Sequence, residues 1–147
     1  MPLPNRTITF ALAGAFILAI FWPLLHPPDT TVHRAVLKRQ FQLLKAPSES
    51  RLIYLDEKPK LGRVLIGAYY QSSMSYDQLK HYYVPQLQRH GWALREDAGE
   101  ADADRRITLC KGDYQADLEH AAERRNIGWS YSLTLSWGAQ KRCPAGA

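Results

Sequence analysis

The sequence lacks most of the features on which enzymes and metal-binding proteins depend. It has no GxSxG elbow, phosphate-binding loop, dinucleotide fingerprint or HExxH helix, which argues against hydrolases, nucleotide-dependent enzymes and zinc proteases. It has no CxxC pair, and none of its five histidines stands three or four residues from another histidine. The chain is therefore predicted to be no enzyme, to hold no cofactor and to bind no metal.

Strong charge of one sign is also missing. The 19 Lys and Arg side chains exceed the 14 Asp and Glu side chains only moderately, for a formal net charge of +5. The basic positions are scattered and form no dense run, so the sequence gives no support for binding nucleic acid. The acidic segment 97–104 lacks the correctly placed glycine and closing glutamate of an EF-hand loop, so we expect no calcium site there.

One long run without charge lies near the N-terminus. Residues 8–25 read ITFALAGAFILAIFWPLL, and a helix of this length spans roughly 27 Å, close to the hydrocarbon thickness of a bilayer. The residues that follow, HPPDT, offer no small-x-small cleavage site, which favours a retained transmembrane anchor over a cleaved signal peptide. The lipid bilayer is thus the first predicted partner, bound through residues 8–25, with a short N-terminal tail at 1–7.

Two observations disagree about the compartment of the rest of the chain. Arg34, Lys38 and Arg39 lie close behind the anchor, which by the positive-inside rule favours a cytoplasmic domain. Cys110 and Cys143 form an even pair that suits an oxidising compartment, although two unpaired core thiols remain the alternative. We expect a single-pass protein of the bacterial inner membrane with a periplasmic domain and a candidate disulfide between these cysteines.

The segment 26–50 is predicted to be a juxtamembrane linker that contains an amphipathic helix. Pro27 and Pro28 cannot continue the anchor helix, and Thr30 or Thr31 can cap a new one. The apolar stripe of this helix is formed by His33, Leu37, Phe41 and Leu44. Such a stripe suits either the bilayer surface or packing on the following domain.

Residues 51–147 are predicted to form one α+β domain with a mostly antiparallel sheet of four or five strands and one helix packed on a face. The strand candidates are 51–55, 63–72, 92–96, 106–120 and 129–137. The run 129–137, WSYSLTLSW, alternates apolar and polar residues, with Trp129 predicted on the same buried face as Trp137. A loop is expected at 56–62, and a β-bulge at Gly112 would explain why the alternation in 106–120 changes parity.

The helix of the domain is predicted from signals at both of its ends. Ser75 and Gln78 can form a capping box, and Gly91 suits the left-handed position of a Schellman cap. Its apolar stripe consists of Tyr76, Leu79, Tyr83 and Leu87. Pro85 is expected to kink or split this helix because it removes a backbone donor.

Aromatic side chains are the remaining candidates for a functional surface. The set comprises Tyr69, Tyr70, Tyr82, Tyr83, Trp92, Trp129, Tyr131 and Trp137. Packing in a core or interface accounts for such residues most simply, since aromatic rings bury large areas. An aromatic-lined cleft is the alternative. His81 and His90 are interpreted as residues of an exposed helix face.

The segment 69–92, YYQSSMSYDQLKHYYVPQLQRHGW, resembles a recurring arrangement in a family of uncharacterised membrane-anchored bacterial envelope domains. There a strand is followed by S-x-x-x-L-x-x-[FY]-Y-x-x-x-L-x-x-x-GW and further strands, and Pro85 departs from that pattern. The resemblance implies an α+β domain outside the cytoplasm and transfers no catalytic residue. The expected function is a structural or protein-interaction module of the cell envelope, with an envelope protein as partner. The alternative is an anchored extracytoplasmic ligand-binding domain with an aromatic cleft.

Overall fold

The computed structural model describes residues 30–60, 62–98, 105–121, 128–138 and 143. The predicted tail at 1–7 and the predicted anchor at 8–25 lie outside these ranges. Within them, no helix is both long enough and apolar enough to cross a bilayer.

The described residues form two helices and six strands. They are α1 (Thr30–Gln42), β1 (Arg51–Lys60), β2 (Arg63–Gln71), α2 (Tyr76–Arg89), β3 (Ala93–Ala98), β4 (Arg105–Lys111), β5 (Tyr114–His120) and β6 (Tyr131–Trp137). All strand pairs are antiparallel, in the order β1-β2-β6-β5-β4-β3. The predicted α+β class is confirmed, whereas the predicted four or five strands are too few, and two helices pack on the sheet where one was predicted.

The extra strand arises because 106–120 is a hairpin and not one bulged strand. Lys111 pairs directly with Tyr114, and Gly112, at φ +56°, opens the two-residue turn between them. Glycine at the first central position is what a type II′ hairpin turn requires. Since the chain reverses here, the change of parity needs no inserted residue, and the predicted β-bulge at Gly112 is wrong.

The first hairpin is longer than the sequence indicates. β1 and β2 pair as predicted, but β1 continues from Asp56 to Lys60, through most of the predicted loop at 56–62. Pro59 is tolerated in this strand because β1 lies at the edge of the sheet, where a missing backbone donor need not break a ladder. The predicted strand at 92–96 is observed slightly later, as β3.

Both helices pack on one side of the sheet, here called the helix side; the opposite side is the open face. α1 lies over β2 and β6, and α2 lies over β3 and β4. Leu37 of α1 is fully buried, and Phe41 and Leu44 pack against the same core. The ring of His33 stacks on Trp137 with centroids 3.5 Å apart. The apolar stripe of α1 therefore packs on the domain, which was one of its two predicted roles.

α2 has the predicted caps at both ends. Ser75 Oγ accepts a hydrogen bond from the Gln78 amide, and Gln78 Oε1 accepts one from the Ser75 amide. At the other end, Gly91 has φ +83° and the amide of Trp92 donates to the Leu87 carbonyl at 3.1 Å, as in a Schellman motif. The predicted stripe of Tyr76, Leu79, Tyr83 and Leu87 is buried. The helix is continuous through Pro85 and is not split in two.

The alternation of β6 assigns its side chains to the two faces of the sheet, but two serines of its polar set are buried as well. Tyr131, Leu133 and Leu135 are buried on the helix side, and Trp137 is half-buried beside them. Trp129 lies before the start of the strand, and its ring is 5.3 Å from that of Tyr69 on the open face. The prediction that Trp129 shares the buried face is wrong, because the strand geometry that enforces alternation begins only at Tyr131.

Candidate interaction surface

The eight aromatic residues singled out in the sequence occupy three environments and line no common cleft. Tyr70, Tyr83, Trp92 and Tyr131 are buried in the core. Tyr82 and Trp137 are partly buried and pack against that core. Tyr69 and Trp129 meet on the open face.

The core tyrosines are packed for stability. The rings of Tyr70 and Tyr131 stack with centroids 4.9 Å apart, and the hydroxyl oxygens of Tyr83 and Tyr131 are 3.1 Å apart. Burial raises the pKa of Tyr70 to about 12 and raises the pKa of Tyr83 and Tyr131 as well. All three side chains are therefore neutral near pH 7, and their burial keeps them from meeting a dissolved substrate.

On the open face, three aromatic rings form a row from β1 to the start of β6. Tyr54 stacks on Tyr69 with centroids 4.2 Å apart and planes 13° from parallel. Trp129 meets Tyr69 edge-on at 5.3 Å. Burial is the main cause of the raised pKa of Tyr69, so its hydroxyl is un-ionised at neutral pH. Tyr54 is a member that the sequence analysis missed, since only its place opposite Tyr69 brings it into this row.

The row begins at an unusually apolar sheet edge. Leu52, Ile53, Tyr54 and Leu55, here called the apolar edge, are 51%, 40%, 44% and 55% exposed. They are four consecutive residues of β1, and no described strand pairs with β1 on its outer side. Leu52 pairs with Tyr70 and Leu55 with Ala68, which places both on the helix side, whereas Tyr54 lies on the open face. The ladder shifts register between Leu52 and Tyr54, so Ile53 stands outside the regular pairing.

The other edge of the sheet, β3, has a different chemistry. Its middle residues are Arg95, Glu96 and Asp97, and charged side chains are a common protection of exposed strand edges. The Asp97 carboxylate accepts hydrogen bonds from Lys80 Nζ and from the Tyr76 hydroxyl, both on α2. The contact with Lys80, followed by that with Tyr76, holds the pKa of Asp97 below its usual value. β3 is thus charged and tied to a helix, unlike the apolar edge.

The polar side chains of the open face are largely occupied by one another. Thr108 Oγ1 donates to Asp117 Oδ1 at 2.7 Å, and Gln115 Nε2 donates to Asp117 Oδ2 at 2.6 Å. Arg106 and Glu119 form an ion pair at 3.8 Å. Within the described ranges, no group of three or more His, Cys, Asp or Glu side chains is placed to bind a metal ion. The arrangement is that of a hydrogen-bonded sheet surface.

Cys110 and Cys143 lie at disulfide-bonding distance, with Cα atoms 5.6 Å apart and a separation of 33 positions in sequence. Cys110 is on β4, where it pairs with Ala93 of β3 and Gln115 of β5. If 106–120 and 129–137 were the two strands of one hairpin, the sequence would predict Cys110 opposite the end of the last strand; this prediction is wrong, because β5 separates β4 from β6. Cys143 is buried, and the bridge fixes it against the middle of the three-stranded half of the sheet.

Known proteins offer no template for this surface. No family model matches the chain, and no curated protein and no solved structure matches it either. A functional proposal therefore depends on the exposure, pairing and charge of the residues described above.

Proposed function

We propose that this chain is a single-pass, membrane-anchored interaction module of the bacterial cell envelope that binds an extended segment of a partner protein along the apolar edge. The exposure of four consecutive apolar residues on β1, whose outer side pairs with no described strand, is the observation that carries the proposal. The uncharged run 8–25 supports the membrane anchor, and the paired Cys110 and Cys143 support a periplasmic location.

The chemistry of an edge strand explains why a protein segment suits this site. The outer side of β1 presents backbone N–H and C=O groups that an added strand can pair with, the mode known as β-augmentation. Side chains of the added strand would alternate between Tyr54 on the open face and Leu52 and Leu55 on the helix side. The backbone bonds supply affinity and these side chains select apolar residues in the partner.

The second half of β1 defines where such a segment would end. Asp56 forms an ion pair with Lys58 at 2.8 Å, and Glu57 is paired with Arg34 and Lys38 of α1. These charges are already compensated within the chain, so an apolar partner gains nothing by covering them. The bound segment is therefore short, centred on Ile53 to Leu55, with small apolar or aromatic residues at alternate positions.

Site-specific crosslinking tests this proposal with a matched control. A photoreactive amino acid at Ile53 in the full chain, expressed in its native host, should yield one dominant adduct whose partner peptide is identified by mass spectrometry. A synthetic copy of that peptide should bind the purified chain. Leu55→Lys should weaken that binding at least about tenfold, because it buries a charge in the contact. Leu94→Lys alters a similarly exposed leucine, 42% exposed, on the opposite edge and should leave the affinity within about twofold.

Two results would contradict the proposal. One is equal binding of the peptide to Leu55→Lys and to the unaltered chain; the other is equal weakening by Leu55→Lys and Leu94→Lys. Membrane orientation is tested separately by reporter fusions at both termini. A C-terminal reporter that is active only in the cytoplasm would remove the periplasmic part of the proposal and leave the edge contact untouched.

A second candidate function is the binding of a planar ligand at the row formed by Tyr54, Tyr69 and Trp129. The parallel stacking of Tyr54 on Tyr69 favours it, since such rings offer a flat apolar surface beside an edge-on tryptophan. Quenching of tryptophan fluorescence by a planar ligand in the unaltered chain, lost in Trp129→Phe, would support this function over strand addition.

A further inference from the structure

A groove of about 520 Å³ lies between α2 and the segment that follows α1. It is lined by Leu43, Lys45, His81, Tyr82, Pro85, Gln86, Arg89 and His90. Its volume falls within the range of about 300–1,000 Å³ that is usual for small-molecule sites. The groove is separate from the apolar edge, because it is formed by α2 and by the connection between α1 and β1.

The lining has an apolar part and a basic part. Leu43, Tyr82 and Pro85 supply apolar surface, and Lys45 and Arg89 supply two permanent positive charges. His81 and His90 add two imidazoles, and the eight described lining residues include no carboxylate. A concavity with two cationic side chains, two imidazoles and no acid in its lining favours an anion attached to an apolar body.

The walls of the groove are held in place by hydrogen bonds that cross between segments. The Lys45 amide donates to Gln86 Oε1 at 3.2 Å, which ties the segment after α1 to α2. Lys111 Nζ donates to the His90 carbonyl at 2.6 Å and to Gln40 Oε1 at 3.3 Å, which links the ends of both helices. The groove is thus formed before any ligand arrives, which lowers the entropic cost of binding.

The basic side chains retain donors that can reach a ligand. Arg89 uses its Nε to bond the Pro85 carbonyl at 3.3 Å, an interaction that leaves the two terminal guanidinium nitrogens for an anion. His81 Nδ1 donates to the Asp77 carbonyl at 2.7 Å, so its Nε2 is the nitrogen directed elsewhere, and it donates to an anion only in the doubly protonated imidazolium. Across the described ranges, neither Lys45 nor Arg89 takes part in an ion pair.

We propose that this groove binds a phosphate monoester carried on an apolar or aromatic body. A monoester phosphate is close to a dianion at neutral pH and offers three acceptor oxygens, which matches two fixed cations and two imidazoles better than a single carboxylate does. Leu43, Tyr82 and Pro85 hold the apolar body. The same chemistry occurs in soluble phosphate monoesters and in the phosphatidic acid headgroup, and the experiment distinguishes them.

The test uses the full chain in phosphatidylcholine nanodiscs and phenyl phosphate as the probe. Binding is followed by NMR shifts of the amides of Tyr82, Gln86 and Arg89, with phenol and inorganic phosphate as partial probes. Phenyl phosphate should bind at least about tenfold more tightly than either partial probe. The double variant Lys45→Gln/Arg89→Gln should weaken its binding at least about tenfold, as expected for the loss of two charge-assisted hydrogen bonds.

The control variant Arg39→Gln/Arg51→Gln removes the same charge from two exposed sites outside the groove and should change the affinity by less than about twofold. Adding phosphatidic acid to the nanodiscs distinguishes a lipid headgroup from a soluble phosphate monoester as the ligand. If phosphatidic acid is the ligand, adding it without phenyl phosphate produces the same NMR shifts, and it competes with phenyl phosphate. If the ligand is a soluble monoester, phosphatidic acid produces no shifts and phenyl phosphate still does. Absence of binding, equal weakening by both double variants, or binding of a glutamate-rich peptide in preference to phenyl phosphate would overturn the proposal.

Discussion

The hydroxyl oxygens of Tyr83 on α2 and Tyr131 on β6 lie 3.1 Å apart in the interior of the protein. Each is the buried polar end of a large side chain, so the pair joins the helix to a central strand. Tyr131→Phe should lower the free energy of unfolding by about 1–2 kcal/mol, because it leaves the Tyr83 hydroxyl without this partner. Urea unfolding followed by tryptophan fluorescence measures the change.

A double-mutant cycle distinguishes the hydroxyl contact from simple loss of packing. Tyr83→Phe/Tyr131→Phe removes both polar groups and should cost less than the sum of the two single changes. Strict additivity of the two single effects would show that the hydroxyls do not interact energetically.

The C-terminal cap of α2 depends on the left-handed conformation of Gly91. A Cβ added there meets only the Lys111 side chain, at 3.6 Å, so steric clash with neighbours is not the issue. Gly91→Ala should nonetheless lower the free energy of unfolding by about 1–2 kcal/mol, since an L-residue at φ +83° is strained. Gly91→Asn should cost less, because asparagine tolerates this conformation better. Equal losses for alanine and asparagine would contradict the assignment.

His120 should make the stability fall as the pH drops below neutrality. It is buried, its Nε2 lies 3.3 Å from the Met74 carbonyl, and burial is the main cause that lowers its pKa from the ordinary 6.5. Because the unfolded chain then binds the proton more readily than the folded one, protonation near and below pH 6.5 favours unfolding. The stability that neutral His120 provides above pH 6.5 is lost as the pH falls from 6.5 through the lowered pKa of the folded protein.

Thermal unfolding between pH 7.5 and 5.5 measures this effect. His120→Gln should flatten the dependence on pH, whatever its effect on the stability at pH 7.5. Ion pairs lower the pKa of Glu57 and of Asp97. The stability that these two carboxylates contribute is therefore lost only below the range from pH 7.5 to 5.5. An unchanged slope in His120→Gln would show that another group is responsible.

The bridge between Cys110 and Cys143 should contribute about 3–4 kcal/mol to stability, the chain-entropy value for a loop of this length. Cys110→Ser/Cys143→Ser should lower the urea midpoint accordingly, and dithiothreitol should lower the midpoint of the unaltered chain to a similar value. The double serine variant is the control, since its midpoint should not respond to dithiothreitol. A midpoint of the unaltered chain that is insensitive to full reduction would contradict a stabilising role.

The parts of the fold that the sequence predicted are those determined by neighbours along the chain. The capping box of Ser75 with Gln78 joins residues three apart, and the bond from Trp92 to Leu87 joins residues five apart, so both could be inferred from spacing. The buried stripe of α2 follows from helical periodicity in the same way. These features need no knowledge of strand order.

The features that the sequence did not predict depend on distant pairing. β6 lies between β2 and β5, an order that spacing along the chain does not determine. The exposure of Leu52 to Leu55 follows from the place of β1 at the edge, whereas the residues themselves are typical of a buried strand. The groove brings Lys45 together with Arg89 from separate segments, so neither residue alone indicated a site. The turn at Gly112 was predicted as a β-bulge because both features change the parity of the alternation between apolar and polar residues.

The strand order has a consequence for the synthesis of the chain. Among the six described strands, β6 is the last to leave the ribosome, and of these strands it alone connects the hairpin of β1 and β2 to the meander of β3, β4 and β5. Until Trp137 has emerged, the two earlier pieces have no shared ladder and each presents an open edge to other chains. A nascent polypeptide stalled before β6 is therefore the form in which this protein is most exposed to aggregation and most in need of a chaperone.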